Sequence, residues 1–175
     1  MDVTNRSLRT ASRFPRAPID QRIPRRTPID QRCREASTPT LFLTLVVHQL
    51  PATVVRSSHT TEGHLGDTSF YSAELTIDGE PSGAVMGHFE TVRLHESESG
   101  AEWDRVGTGV FQFTPTDTIV VIGAVNYPVG TLHSSDGVAL VRAVVGGTGA
   151  HLGARGEVTS VRSPGGAFIH TFTLL

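Results

Sequence analysis

The sequence predicts an all-β domain of about eight strands, arranged as a barrel or a sandwich, and three observations lead there. Apolar runs of strand length recur from residue 41 to the end, separated by short clusters of Gly, Pro, Asn and Asp. No segment sustains helical periodicity. Val144–Thr159 joins two apolar strand ends through glycines at 146, 147, 149, 153 and 156, which permit positive φ and close backbone approach at a tight corner of a curled sheet.

The elements follow in order. Leu41–Gln49 and Ala52–Ser58 are β-rich runs split by Pro51, and 62–67 is a turn cluster. Ser69–Ile77 alternates moderately before the hairpin signal Asp78-Gly79-Glu80-Pro81-Ser82-Gly83. Ala84–His95 comes next, then an acidic loop over 96–100, Trp103–Phe113, a turn at Pro115 and Asp117, and the apolar strand Thr118–Asn126. Val138–Val145, Gly156–Val161 and Ala167–Leu175 complete the set. Closure into a barrel would remove the exposed edges that an open sheet carries.

A chain of 175 residues predicts one domain with an appendage. The appendage is residues 1–40, Pro-rich and Arg-rich, with an echo of Pro18-Ile19-Asp20-Gln21-Arg22 at Pro28-Ile29-Asp30-Gln31-Arg32. Proline at this density prevents a continuous helix. Three readings of the segment are open: a disordered leader or misassigned start, a lid over a barrel mouth, or a transit peptide; it has no secretory h-region. Residues 41–175 are read as the β domain.

All fifteen basic side chains are arginine, which reads as GC-rich coding of an actinomycete-like bacterium. Residues 1–40 hold nine of them against four acids, whereas the remainder holds six against thirteen. The acidic body predicts no nucleic-acid partner, because phosphate binding needs a basic face. Leu41–Val47 stops at His48, far short of a membrane-spanning run, so no membrane partner is expected either. A lone cysteine, Cys33, fits a reducing compartment, and the expected location is the cytoplasm.

Several familiar chemistries are not expected. The glycine-rich corner lacks the Gly-Lys-Ser/Thr of a phosphate loop, and Glu157–Val161 after it reads as strand. No nucleophile-elbow serine stands at a strand-to-helix turn. His59 and His64 have a ligand-like spacing without a third ligand nearby, and the other six histidines are scattered, so no metal is predicted.

An eight-stranded barrel has an interior wide enough for side chains or one small ligand, so function is sought inside it. Along Ala84–His95 the interior face is read as Val85, Gly87, Phe89 and Thr91, because His88 and Glu90 on the other face would be costly to bury unpaired. Along Trp103–Phe113 the pattern leaves both faces open. Glycines at 87, 107 and 109 beside aromatic residues suggest a cavity for an apolar ligand, or merely ease strand curvature. Val85, Phe89, Trp103, Phe111 and Asn126 are the expected substrate-binding residues. Tyr71, Glu74 and Gln112 are the expected catalytic ones, each able to hydrogen-bond a carbonyl, with Glu74 a base if burial raises its pKa. Tyr71 and Glu74 are three positions apart, so a regular strand cannot point both inward.

The run Gly146-Gly147-Thr148-Gly149 with Gly153, Gly156 and Val158, closed by Phe168–Leu175, resembles the allene oxide cyclase and dirigent barrel superfamily. Ile77-Asp78-Gly79 before Gly83, and Gly109–Phe113 ahead of Ile119–Gly123, extend the resemblance over residues 62–175. It implies a single eight-stranded antiparallel β-barrel of the allene oxide cyclase type. Members confine a reactive substrate in the barrel: plant allene oxide cyclases close a fatty-acid epoxide, dirigent proteins orient phenoxy radicals, and bacterial relatives close rings in polyketides by four-plus-two cycloaddition. Aligned on Asp78-Gly79 and Gly83, the plant enzyme's polar asparagine falls at Glu74 and its cavity cysteine at Phe89, and its first-strand glutamate has no counterpart unless Gln49 stands in. The resemblance therefore implies the bacterial natural-product cyclase branch: a cofactor-free cyclase or isomerase acting on an apolar polyunsaturated intermediate, with a hydrophobic small molecule as partner and homo-oligomerisation through outer barrel faces. The competing readings are a barrel that carries a hydrophobic molecule unchanged, and a filled barrel that serves only in assembly.

Overall fold

A computed structural model of the chain describes residues 43–57, 64–97 and 100–175. The reading of residues 1–40 as an extension lies outside the described residues. Nine strands form: β1 (Leu43–Gln49), β2 (Thr53–Arg56), β3 (Thr68–Ile77), β4 (Glu80–Ser97), β5 (Gly100–Gln112), β6 (Thr118–Pro128), β7 (Ala139–Thr148), β8 (Gly156–Arg162) and β9 (Phe168–Leu174). Every pairing is antiparallel. β1 pairs with β9 along its length and with β3 at His48↔Thr76 and Gln49↔Leu75, which closes an eight-stranded barrel; β2 is an extra strand on β3.

Local chemistry sets these boundaries. Pro51 separates β1 from β2, since proline offers no N–H to a ladder, and the Leu50 N–H bridges the break by donating to the Glu74 carbonyl at 3.0 Å. The β3–β4 turn is the two residues Asp78-Gly79, both at positive φ (52° and 83°), as a type I′ hairpin requires. β4 thus begins at Glu80, earlier than the sequence suggests. At the glycine-rich corner Gly146 and Gly147 belong to β7, and the reversal is a short 3₁₀ turn, Gly149–His151, entered through Gly149 at φ 56°.

Side chains that point inward fill one half of the barrel solidly. Val47, Leu75, Val85, Phe111, Ile119, Val121, Val144, Val158, Phe172 and Leu174 form one buried cluster. Phe111 is its centre, edge-on to Phe172 at 5.0 Å and to His170 at 4.8 Å. The odd-numbered face of β5 (Trp103, Arg105, Gly107, Gly109, Phe111) is the interior one, which settles the face that the pattern left open.

The strand glycines are not empty space. A Cβ on Gly87 would meet the Tyr71 ring (Oη 2.7 Å, Cζ 2.9 Å), one on Gly109 the Tyr71 Oη at 2.6 Å, and one on Gly107 the Phe89 ring. Aromatic rings from β3 and β4 lie flat over a glycine floor, stacked on each other with centroids 5.1 Å apart. The volume that the sequence suggests for a ligand at these positions is occupied by Tyr71 and Phe89 themselves.

Gly107→Ala is therefore expected to destabilise the barrel by roughly 1–3 kcal/mol, the range for overpacking a filled interior. Its Cβ lands on both the His88 carbonyl and the Phe89 ring. Gly146→Ala, where the nearest atom is Arg155 Nη1 at 3.8 Å, is expected to be neutral or slightly stabilising. Urea midpoints of the two variants against the parent check this; equal losses would overturn the ring-on-glycine account.

Candidate functional site

The other half of the barrel is hollow. A cavity of about 280 Å³ lies between the Pro51-Ala52 break, the Leu132-His133 loop and the Gly165-Gly166 turn. Tyr71, Phe89, Tyr127 and Phe168 supply aromatic walls, with Val54, Val125 and Leu140 between them. Phe89 meets Tyr127 edge-on at 5.7 Å. This size falls at the low end of ligand pockets, about 300–1,000 Å³.

Its polar groups come from four strands and join hands. Arg142 Nη2 on β7 donates to Ser160 Oγ on β8 at 3.3 Å, Ser160 Oγ lies 2.8 Å from His170 Nδ1 on β9, and His170 Nε2 lies 3.0 Å from Gln49 Oε1 on β1. The Gln49 carbonyl oxygen only accepts, so His170 carries its proton on Nε2 and Ser160 donates to Nδ1. Burial, reinforced by the positive charge of Arg142 and the neighbouring His48, pushes the His170 pKa down to about 3. The imidazole is a neutral, fixed relay that rests on the Phe111 ring below.

Charge in the cavity is one-sided. Among the described residues no Asp or Glu lines it, while Arg142 and Arg162 do. Arg162 is paired with Asp136. Arg142, 6% exposed, keeps Nε and Nη1 buried without a hydrogen-bond partner among the described residues. Burial raises the Tyr127 hydroxyl to about 12 against the pull of Arg142 and Arg105, so it stays protonated. Arg105 packs over the Tyr127 ring at 5.2 Å and reaches the Thr131 carbonyl at 3.4 Å, and burial lowers its pKa.

Of the residues singled out from the sequence, the structure brings Tyr71 and Phe89 into the cavity wall. Tyr71 Oη makes only a long contact, 3.4 Å, to the Thr108 carbonyl. Val85 and Phe111 point inward but belong to the filled half. Trp103 is buried beside Tyr127 across the β5–β6 ladder and does not line the cavity. Glu74 is exposed, since strand alternation turns it away from Tyr71 and Leu75. Gln112 likewise stands on the outer face next to inward Phe111. Asn126 is outside too, donating to Asp104, which also pairs with Arg93 and sits 3.1 Å from His95 Nδ1. Arg142 and Ser160, which the sequence reading passed over, line the cavity, whereas Glu74 and Gln112 do not. Among the described residues no three His, Cys, Asp or Glu side chains converge as metal ligands, and no helix is long and apolar enough to cross a membrane. His59 lies outside the described residues.

No protein-family model and no curated protein matches the sequence. Solved structures do match the fold. A pyocyanin demethylase superposes with a TM-score of 0.58 at 16% identity, over 76% of this chain and all of that one. The Diels Alderase AbmU from Streptomyces koyangensis gives 0.52 at 14% identity, over 79% and 69%. A pterocarpan synthase dirigent protein gives 0.50 at 18%, over 82% and 96%. At such identities the likeness shows the barrel fold, shared with cyclase-type and dirigent proteins, and leaves the site to be argued from this chain's own residues.

The neutral floor histidine sets a pH dependence. Its folded pKa of about 3 lies below the unfolded value of 6.5, so the unfolded chain binds the extra proton first. The stabilisation is complete above about pH 6.5 and is lost as pH falls towards 3, with a slope of at most about 1.4 kcal/mol per pH unit from this group. Urea midpoints of the parent and His170→Asn at about pH 7 and about pH 4.5 isolate it from the carboxylates. The parent is expected to lose more between the two conditions; equal losses would mean that His170 is not held neutral.

Proposed function

We propose that this barrel is a cofactor-free cyclase that closes a ring in an apolar, polyunsaturated natural-product intermediate, with four-plus-two cycloaddition as the reaction that best fits its interior. The observation that carries the reading is the half-filled barrel: an aromatic-walled cavity of about 280 Å³, closed below by packed side chains and open at one end. A linear polyene that enters must fold to fit, which brings its reacting ends together. Holding two reacting groups in such geometry can remove about 7–11 kcal/mol of a barrier in favourable cases.

The titration state of the site supports a reaction without proton transfer. His170 and Tyr127 are pushed away from neutrality in opposite directions, to about 3 and about 12, so neither is poised as a general acid or base near pH 7. What remains for the polar floor is to orient the substrate. In this reading Arg142, steadied by Ser160, polarises a carbonyl conjugated to the reacting diene or dienophile by a hydrogen bond, and Tyr71 can add a donor from the wall.

Purified full-length protein incubated with linear polyene-bearing tetramate or tetronate precursors is expected to give a product of unchanged mass and new retention. Leu140→Trp, which fills the cavity from β7, is expected to cut the rate by roughly tenfold or more with the barrel's circular dichroism intact. Precursor recovered unchanged yet bound to the protein would replace the cyclase by a carrier.

A further inference from the structure

We infer that the ligand of this cavity carries an ionised oxygen group, a carboxylate or an acidic enolate, at the end that reaches the floor, and that Arg142 receives it. The inference rests on the cavity being the substrate site and specifies what enters it. A guanidinium has five N–H donors and is charged at any physiological pH. Arg142 is 6% exposed and spends one bond on Ser160; Nε and Nη1 are buried with no partner among the described residues. Among the described residues no carboxylate lines the cavity to balance it, and the charged groups there are Arg142 itself and the Arg162 already paired with Asp136. An uncompensated buried charge is costly to a fold, and an oxyanion held in the cavity that Arg142 lines would offset it through charge-assisted hydrogen bonds.

The barrel is shaped around this side chain. A Cβ on Gly123 would stand 2.8 Å from Arg142 Cγ and 3.1 Å from its Cβ, and one on Gly109 would stand 3.7 Å from Nη1. Glycine on two neighbouring strands thus leaves the lane in which the arginine runs across the interior. The other buried arginine among the described residues, Arg105, also keeps Nε and Nη1 without a partner there, but it lies outside the cavity lining and its guanidinium covers the Tyr127 ring, so Arg142 is the one a cavity ligand can reach. Ser160, whose hydrogen goes to His170 Nδ1, accepts from Arg142 Nη2 and so holds the guanidinium in place.

The test uses a shape-matched pair of probes, 2-naphthoate and 2-naphthamide, titrated calorimetrically into the full chain. The anion is expected to bind roughly tenfold or more tightly than the amide, as a charge-assisted pair in a dry site should. Arg142→Gln is expected to abolish that preference and Arg142→Lys to keep part of it. Arg142→Gln is also expected to raise the unliganded melting midpoint, since it removes the unpaired charge; a residue of purely structural value would lower it. Equal affinity for the two probes, binding of neither, or a preference that survives Arg142→Gln overturns the inference. The cyclase reading fails separately: anion binding that depends on Arg142 without ring closure of any precursor would sink catalysis alone. Closure of neutral precursors at an unchanged rate in Arg142→Gln would sink the anion site alone.

Discussion

Everything in this molecule hangs on the seam where β1 stops at Gln49 and β2 resumes at Thr53. β1 uses both of its edges here: one pairs with β9 along the whole strand, and the other reaches β3 at His48 and Gln49, which joins the two ends of the sheet. Pro51 then interrupts the run, and β2 continues on β3 alone. Closure is what gives the inward faces a shared interior. The same seam delivers a functional group: Gln49, the last residue before the break, reaches across to His170 and fixes its tautomer. The Pro51-Ala52 break itself forms part of the cavity rim.

Above that seam the interior divides into two layers with opposite physics. Below the His170 ring the side chains are branched or aromatic hydrocarbons that are almost wholly buried, and their packing is where the hydrophobic stabilisation resides. At the ring the composition changes to Gln, His, Ser and Arg in one hydrogen-bonded row drawn from β1, β9, β8 and β7. Such a row is safe in a low-dielectric interior only when satisfied, and three of its four members are. The exception is Arg142, which lines the cavity with the other three. Arg105, outside this row and outside the lining, also keeps two unpartnered donors among the described residues, so what sets Arg142 apart is that its cost falls where a ligand can offset it.

The sequence was legible where backbone chemistry decides the outcome. Pro51 cannot donate to a ladder, and Asp78-Gly79 and the glycines after Val145 supply the positive φ that tight reversals need, so the strand order and the turns could be read, with errors of a few residues where β4 and β7 run past their expected ends. Faces were legible on β4, where His88 and Glu90 mark the outside. They were not on β7, where Val141, Ala143 and Val145 point outward as apolar as the inward Leu140 and Val144, so that no pattern marks Arg142 as inward. Height along the barrel was not legible at all. Alternation assigns Val85 and Phe89 to one face alike, yet four residues along β4 separate a packed core position from a cavity wall. The glycines at 87, 107 and 109 misled for a related reason: a missing Cβ shows that something needs room, and only the tertiary structure shows that the occupants are Tyr71 and Phe89.

This distribution of groups also limits what kind of chemistry the barrel suits. Catalysis by proton transfer needs a group whose pKa lies near the working pH, and that in turn needs burial offset by an opposite charge or by solvent. Here burial acts unopposed on His170, and Arg142 and His48 push in the same direction. A carboxylate beside the imidazole would have reversed this, and the barrel places Gln49 there instead. Glu74, the carboxylate that sequence position alone recommended, stands on the outer face in water. With no carboxylate at the imidazole among the described residues and a fixed positive charge beside it, the interior suits the proposed ring closure better than proton transfer: aromatic walls can align a conjugated chain while Arg142 holds an oxygen group.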